Sequence, residues 1–130
     1  MTEKEQKISR FNTLLRVYCS SSIKGSYHSA YSLKHMCEDV IGEYVSSTEY
    51  VEHFMKYEKY RHHMSIKSSD YEKARAATEE GDIYSNGNLW ASIRFYLPVT
   101  EKVFNEFYQH CRSGQLGGFL KDEKKEMVNE

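Results

Sequence analysis

The chain has 130 residues, 39% hydrophobic and 28% charged, and its 18 Lys+Arg against 19 Asp+Glu give a formal net charge of -1. That length suits one folded domain, and the balance of apolar and charged residues excludes collagen-like, low-complexity and disordered classes. Aromatic residues make up 14% of the chain, with 11 tyrosines, although the mean hydropathy of -0.74 is otherwise polar.

The charged start Met1-Thr2-Glu3-Lys4-Glu5-Gln6-Lys7 is not followed by the apolar stretch of a secretory leader. From there to Cys19, the residues Ile8, Phe11, Leu14, Leu15 and Tyr18 recur at intervals of three and four and predict a helix over Glu3 to Cys19. The segment Ser20 to Ser26 is small and polar and reads as a linker. A second helix is expected from Ser29, a hydroxyl N-cap, through Leu33, Met36, Cys37, Val40 and Ile41 to a C-capping Gly42. Ser46 and Glu49 then match a capping box, which predicts a third helix burying some of Tyr50, Val51, Phe54, Met55 and Tyr57.

From Tyr60 to Lys67 the period falls to two, which suits a half-buried strand. Ser69 and Glu72 form another capping-box pattern, before a peripheral helix that ends at Gly81. Asn86-Gly87 is a strong type I′ hairpin signal joining strands 82–85 and 88–97. In the second of these strands Leu89, Ala91, Ile93, Phe95 and Leu97 are expected to face the core, with Trp90, Ser92, Arg94 and Tyr96 outward, and Pro98 ends it. Thr100 caps a last helix with an apolar stripe of Val103, Phe104, Phe107, Tyr108 and Cys111, stopped at Gly114. These elements predict an α+β fold of N-terminal helices, a small antiparallel sheet and a C-terminal helix, winged-helix-like, in one domain over 1–116 with a charged tail over 117–130.

The run Ser29-Ala30-Tyr31-Ser32-Leu33-Lys34-His35, with Glu38 and then Tyr44-Val45-Ser46, resembles a Ser-x-Tyr-x-Leu-Lys-His motif found in small proteins of phages and mobile elements of Gram-positive bacteria. The resemblance covers about residues 20 to 60 and the strand near Leu89 to Leu97. It implies a phage-type origin and supplies no catalytic residue.

Chemistry is constrained mainly by spacing. The pairs His35/Cys37, His62/His63 and His110/Cys111 diverge on either a helix or a strand, so no metal is expected. Cys19, Cys37 and Cys111 are odd in number and lack a Cys-x-x-Cys pair, which fits reduced, mostly buried thiols. With no Gly-x-Ser-x-Gly elbow, phosphate loop or dinucleotide fingerprint, neither a cofactor nor catalysis is expected. Binding is the expectation that remains.

Two surfaces are candidates. Trp90, Arg94, Tyr96 and Tyr84 would make a protein-binding face, since a small core cannot bury Tyr27, Tyr31, Tyr44, Tyr84, Trp90 and Tyr96 together. Lys56, Lys59, Tyr60, Arg61, His63 and Lys67 would make a nucleic-acid face within His53–Lys67, where four basic residues stand against one acidic one. The favoured expectation is a non-enzymatic, phage-type protein, anti-CRISPR-like, that inhibits a host or defence protein by protein–protein contacts. The alternative is a winged-helix-like DNA-binding transcriptional regulator. A cytoplasmic location in the host cell, no membrane contact and a homodimer as a further arrangement complete the expectations.

Overall fold

A computed structural model describes residues 1–58, 64–81 and 86–113. Thr2 starts the first helix, α1 (Glu3–Val17), with a reciprocal capping box in which its hydroxyl accepts from the Glu5 amide and the Glu5 carboxylate accepts from the Thr2 amide. The face of Ile8, Phe11 and Leu15 is buried as the helical spacing requires. The next element, β1 (Ser26–Ser29), is a strand that the sequence reading leaves unassigned, because Ser-Tyr-His-Ser has no apolar alternation to betray it. Ser29 then caps α2 (Ala30–Ile41) through the Ser32 amide, and Gly42 closes it in the left-handed conformation at φ 74°, a position that disfavours a Cβ.

The helix α3 (Ser47–His53) is capped by the Ser46 hydroxyl, which accepts from the Glu49 amide, and continues as a π-helical segment over Phe54–Glu58. The Glu49 carboxylate pairs with Lys4 of α1. A two-residue strand, β2 (Ser65–Ile66), precedes α4 (Ser68–Glu79). Lys67 occupies the N-cap of α4 without a side-chain hydrogen bond, so the expected Ser69/Glu72 box does not start this helix. Then come α5 (Asn86–Ala91), β3 (Arg94–Leu97) and α6 (Glu101–Arg112), whose Thr100 cap accepts from the Val103 amide.

The three strands form one antiparallel sheet in the order β1-β3-β2, with Tyr27 opposite Tyr96 and Ser65 opposite Tyr96 on the other side. Phe95 and Leu97 point to the buried side, where Phe95 meets the rings of Tyr50 at 5.6 Å and Phe54 at 5.0 Å. On that side His28 of β1 stacks on Phe104 of α6 at 3.8 Å, and Phe107 packs on Phe11 and Tyr18 of the first helical segment. The result is the α+β arrangement of N-terminal helices, small antiparallel sheet and C-terminal helix. It is compatible with a winged-helix-like fold.

Two expectations are corrected here. The Asn86-Gly87 hairpin does not form: residues 86–91 are helical, and α4 and α5 occupy the connection between β2 and β3 where a wing was expected. An Asn-Gly pair permits positive φ without requiring it, and helix instead turns Trp90 inward. Trp90 is 1% exposed, donates its indole N–H to the Thr78 hydroxyl at 3.0 Å and meets Tyr71 edge-on. It anchors α5 to α4 and has no place on an outer binding face. The strand expected over 82–85 lies outside the described residues, as do the first half of the Tyr60–Lys67 strand, Gly114 and the 117–130 tail.

Trp90 is the only tryptophan, so its fluorescence reports this packing directly. Acrylamide is expected to quench it weakly in the folded protein and strongly in urea, and Trp90→Ala is expected to cost about 3–5 kcal/mol in urea unfolding. A folded-state quenching rate equal to that of the unfolded chain would show Trp90 exposed.

Candidate functional site on the outer sheet face

Alternation along β3 puts Arg94 and Tyr96 on the side of the sheet away from the core. Cross-strand pairing brings Tyr27 beside Tyr96, with ring centroids 5.8 Å apart and edge to face. Beside Arg94, the amide of Lys67 donates to the Arg94 carbonyl at 2.8 Å, extending the β2 edge by one ladder bond. The Lys67 ammonium lies 5.5 Å and the Arg94 guanidinium carbon 5.8 Å from the centre of the Tyr27 ring, so two cations share one aromatic ring. Tyr27 itself is 52% exposed.

Arg94 and Tyr96 are held from behind. Asp70, in the first turn of α4, accepts from the Arg94 backbone amide at 3.0 Å, from Nε at 2.8 Å and from Nη2 at 2.9 Å. Three donors on one carboxylate fix both the strand and the guanidinium plane. The Arg94 side chain, together with its backbone N–H, holds the Asp70 carboxyl below its ordinary value of 3.8 against the opposing effect of burial. Tyr96 is fixed through its hydroxyl, which accepts from the Gly25 amide at 2.9 Å. Gly25 is confined by sterics, because a Cβ there would sit 1.8 Å from the Leu97 carbonyl oxygen. A hollow of about 220 Å³ adjoins Arg94, lined by Asp70, Lys73, Leu89 and Ser92.

The structure therefore merges parts of both expected surfaces. Arg94 and Tyr96 from the protein-binding set stand with Lys67 from the nucleic-acid set. Trp90 is withdrawn into the core, and Tyr84, Lys59, Tyr60, Arg61 and His63 lie outside the described residues. Lys56 is elsewhere: it caps the Tyr57 ring at 5.1 Å and lines a cleft of about 700 Å³ between α1 and α3. Sequence reasoning flagged Tyr27 only as one of the surplus tyrosines, and it missed Asp70, whose role depends on a contact across 24 residues.

The α1/α3 cleft has its own polar cluster. His53 is buried, bonded through Nε2 to the Ser9 hydroxyl at 2.9 Å, and its Nδ1 has no hydrogen-bond partner among the described residues. Burial holds its imidazole below the ordinary pKa, hence neutral. A nucleophilic Ser–His pair needs a group on the second ring nitrogen to orient it, and this imidazole has none among the described residues. Nearby, Thr2 and the Tyr57 hydroxyl hold the Glu5 carboxyl down at about 2.

The residues of the Ser-x-Tyr-x-Leu-Lys-His run serve the fold. Leu33 is core, and Glu38 accepts from Lys34 at 2.9 Å, His35 at 3.0 Å and the Val45 amide at 3.1 Å, tying the end of α2 to the start of α3. Lys34 is further flanked by Tyr31 and Tyr44. All three cysteines are free, with Cys37 and Cys111 buried and Cys19 partly so. Burial raises each thiol, Cys19 to about 11 and Cys111 to about 12, which opposes thiolate formation near neutral pH. Among the described residues no group of three or more His, Cys, Asp or Glu could hold a metal ion, and no helix is long and apolar enough to cross a membrane. Comparison with known protein families, curated proteins and solved structures finds no match to the chain.

The Asp70 clamp has a pH signature. A depressed folded pKa stabilises the protein above the unfolded value, and this contribution is lost as pH falls through the folded value. Asp70→Asn is expected to lower the urea midpoint by a constant amount above about pH 5, with the gap from the parent closing below about pH 4. A gap independent of pH down to the acid transition would contradict a charged clamp.

Proposed function

We propose that this chain is a binding protein without catalytic activity and that the outer face of its sheet makes the protein–protein contact. The observation that carries this reading is the gathering of Tyr27, Tyr96, Arg94 and Lys67 on one exposed face, with Arg94 and Tyr96 held by Asp70 and Gly25. Tyrosine and arginine supply large contact area at low entropic cost, and a prealigned pair loses less on binding. The neutral, unoriented His53 and the raised thiols favour binding over chemistry. On the resemblance to phage and mobile-element proteins, the partner is a host or defence protein and the outcome is inhibition.

The alternative, a DNA-binding regulator, draws on the compatibility with a winged-helix-like arrangement. In such a fold α3 would face DNA. Its outward side chains include Glu49 and Glu52, paired with Lys4 of α1 and Arg75 of α4, and such pairs offer phosphate no excess positive charge. The protein-binding reading is therefore preferred.

Affinity capture from nuclease-treated host lysate compares the two. Tyr27→Ala with Lys67→Ala, both changes on exposed or half-exposed side chains, is expected to reduce partner recovery about tenfold or more while leaving the circular dichroism unchanged. Recovery equal to the parent's removes the sheet face as the contact surface. Retardation of duplex DNA at low salt that is lost on adding salt, with no nuclease-resistant partner, would establish the regulator instead.

A further inference from the structure

Charge on the outer sheet face points to the chemistry of what it binds. Five cations of the helices are paired with carboxylates: Lys4 with Glu49, Lys7 with Glu43, Arg16 with Glu58, Lys34 with Glu38 and Arg75 with Glu52. The sheet face is different. Lys67 is in no ion pair among the described residues: its ammonium lies over the Tyr27 ring and feels Asp70 only at Coulombic range. Arg94 gives Nε and Nη2 to Asp70, which leaves the two protons of Nη1 without a partner among the described residues. Lys73, also without an ion pair among the described residues, lines the hollow beside Arg94 together with Asp70. Lys67, Lys73 and Arg94 thus surround a single carboxylate, and that carboxylate is saturated.

Resting on the reading of this face as a protein contact, we infer that it receives an acidic segment of the partner, one Asp or Glu carboxylate of which seats between the Lys67 ammonium and the Nη1 edge of Arg94, over Tyr27. The aromatic ring lowers the cost of holding two cations close together in the unbound state, and an incoming carboxylate relieves the remaining repulsion. Leu89, in the wall of the adjoining hollow, gives the same segment an apolar contact. A nucleic acid fits less well. Its affinity comes from neutralising many phosphates, and three cations less the one that Asp70 balances leave too little excess charge on so small a face.

The test is a titration of the ¹⁵N-labelled full chain, followed by amide chemical shifts, with three probes: an acetylated hexaglutamate peptide, the matching hexaglutamine peptide and a twelve-residue oligothymidylate. Hexaglutamate is expected to shift the amides of Tyr27, Lys67, Arg94 and Tyr96, weakly and less at higher salt, while hexaglutamine leaves them in place. Lys67→Gln, which breaks no ion pair among the described residues, is expected to weaken hexaglutamate about threefold. Equal shifts from hexaglutamine, hexaglutamate shifts confined to other residues, or unchanged affinity in Lys67→Gln would overturn the inference. Tighter binding of the oligothymidylate to the same amides would do so as well, in favour of a nucleic-acid ligand. If hexaglutamate fails here while Tyr27→Ala with Lys67→Ala still abolishes lysate capture, the surface stands and only the acidic character of its partner falls.

Discussion

Four residues, Arg94 to Leu97, carry the architecture. As the central strand they pair with β1, some 70 positions upstream, and with β2, some 30 upstream, so that one short segment closes two long loops at once. Alternation makes each residue serve one side. Phe95 and Leu97 join the aromatic core against Tyr50 and Phe54, and Arg94 and Tyr96 carry the exposed chemistry. A one-residue slip in register would exchange these roles and bury a guanidinium, so the packing of Phe95 also fixes what the outer face presents.

The outer sheet face that we propose for binding is therefore held in place by contacts within the fold. Asp70 joins the start of α4 to β3 through both backbone and side chain, and Gly25 admits the close approach that lets its amide reach Tyr96. On the opposite side the helices are tied by buried polar contacts: the Tyr50 hydroxyl donates to Asn12 at 2.6 Å, and Arg16 pairs with Glu58 at the end of the π-helical segment. These contacts set the orientation of α3 against α1. The Arg16–Glu58 pair also balances a buried charge on that side.

Much of this was legible in the sequence, and what was not has physical causes. The helices with strong apolar periodicity and hydroxyl caps, α1, α2, α3 and α6, start and stop close to where Ser29, Gly42, Ser46 and Thr100 place them. The inward Phe95 and Leu97 and outward Arg94 and Tyr96 follow from the period of two. Strand β1 escaped because its partner is 65 or more residues away and its own residues are polar. The Asn86-Gly87 hairpin failed because a local turn preference yielded to the burial of Trp90 against α4, a tertiary effect that no local window contains. The site was half legible: Arg94, Tyr96 and Lys67 were named in two separate lists, and only the sheet register unites them with Tyr27.

The central claim is that the Tyr27 face meets the partner, and a photo-crosslinker tests it at the point of contact. With p-benzoylphenylalanine in place of Tyr27 or of Tyr44, a more exposed tyrosine at the turn between α2 and α3, irradiation in host cells is expected to yield a discrete protein adduct from position 27 and none from position 44. An adduct from position 44 alone would contradict the account and move the interface to the α2–α3 turn.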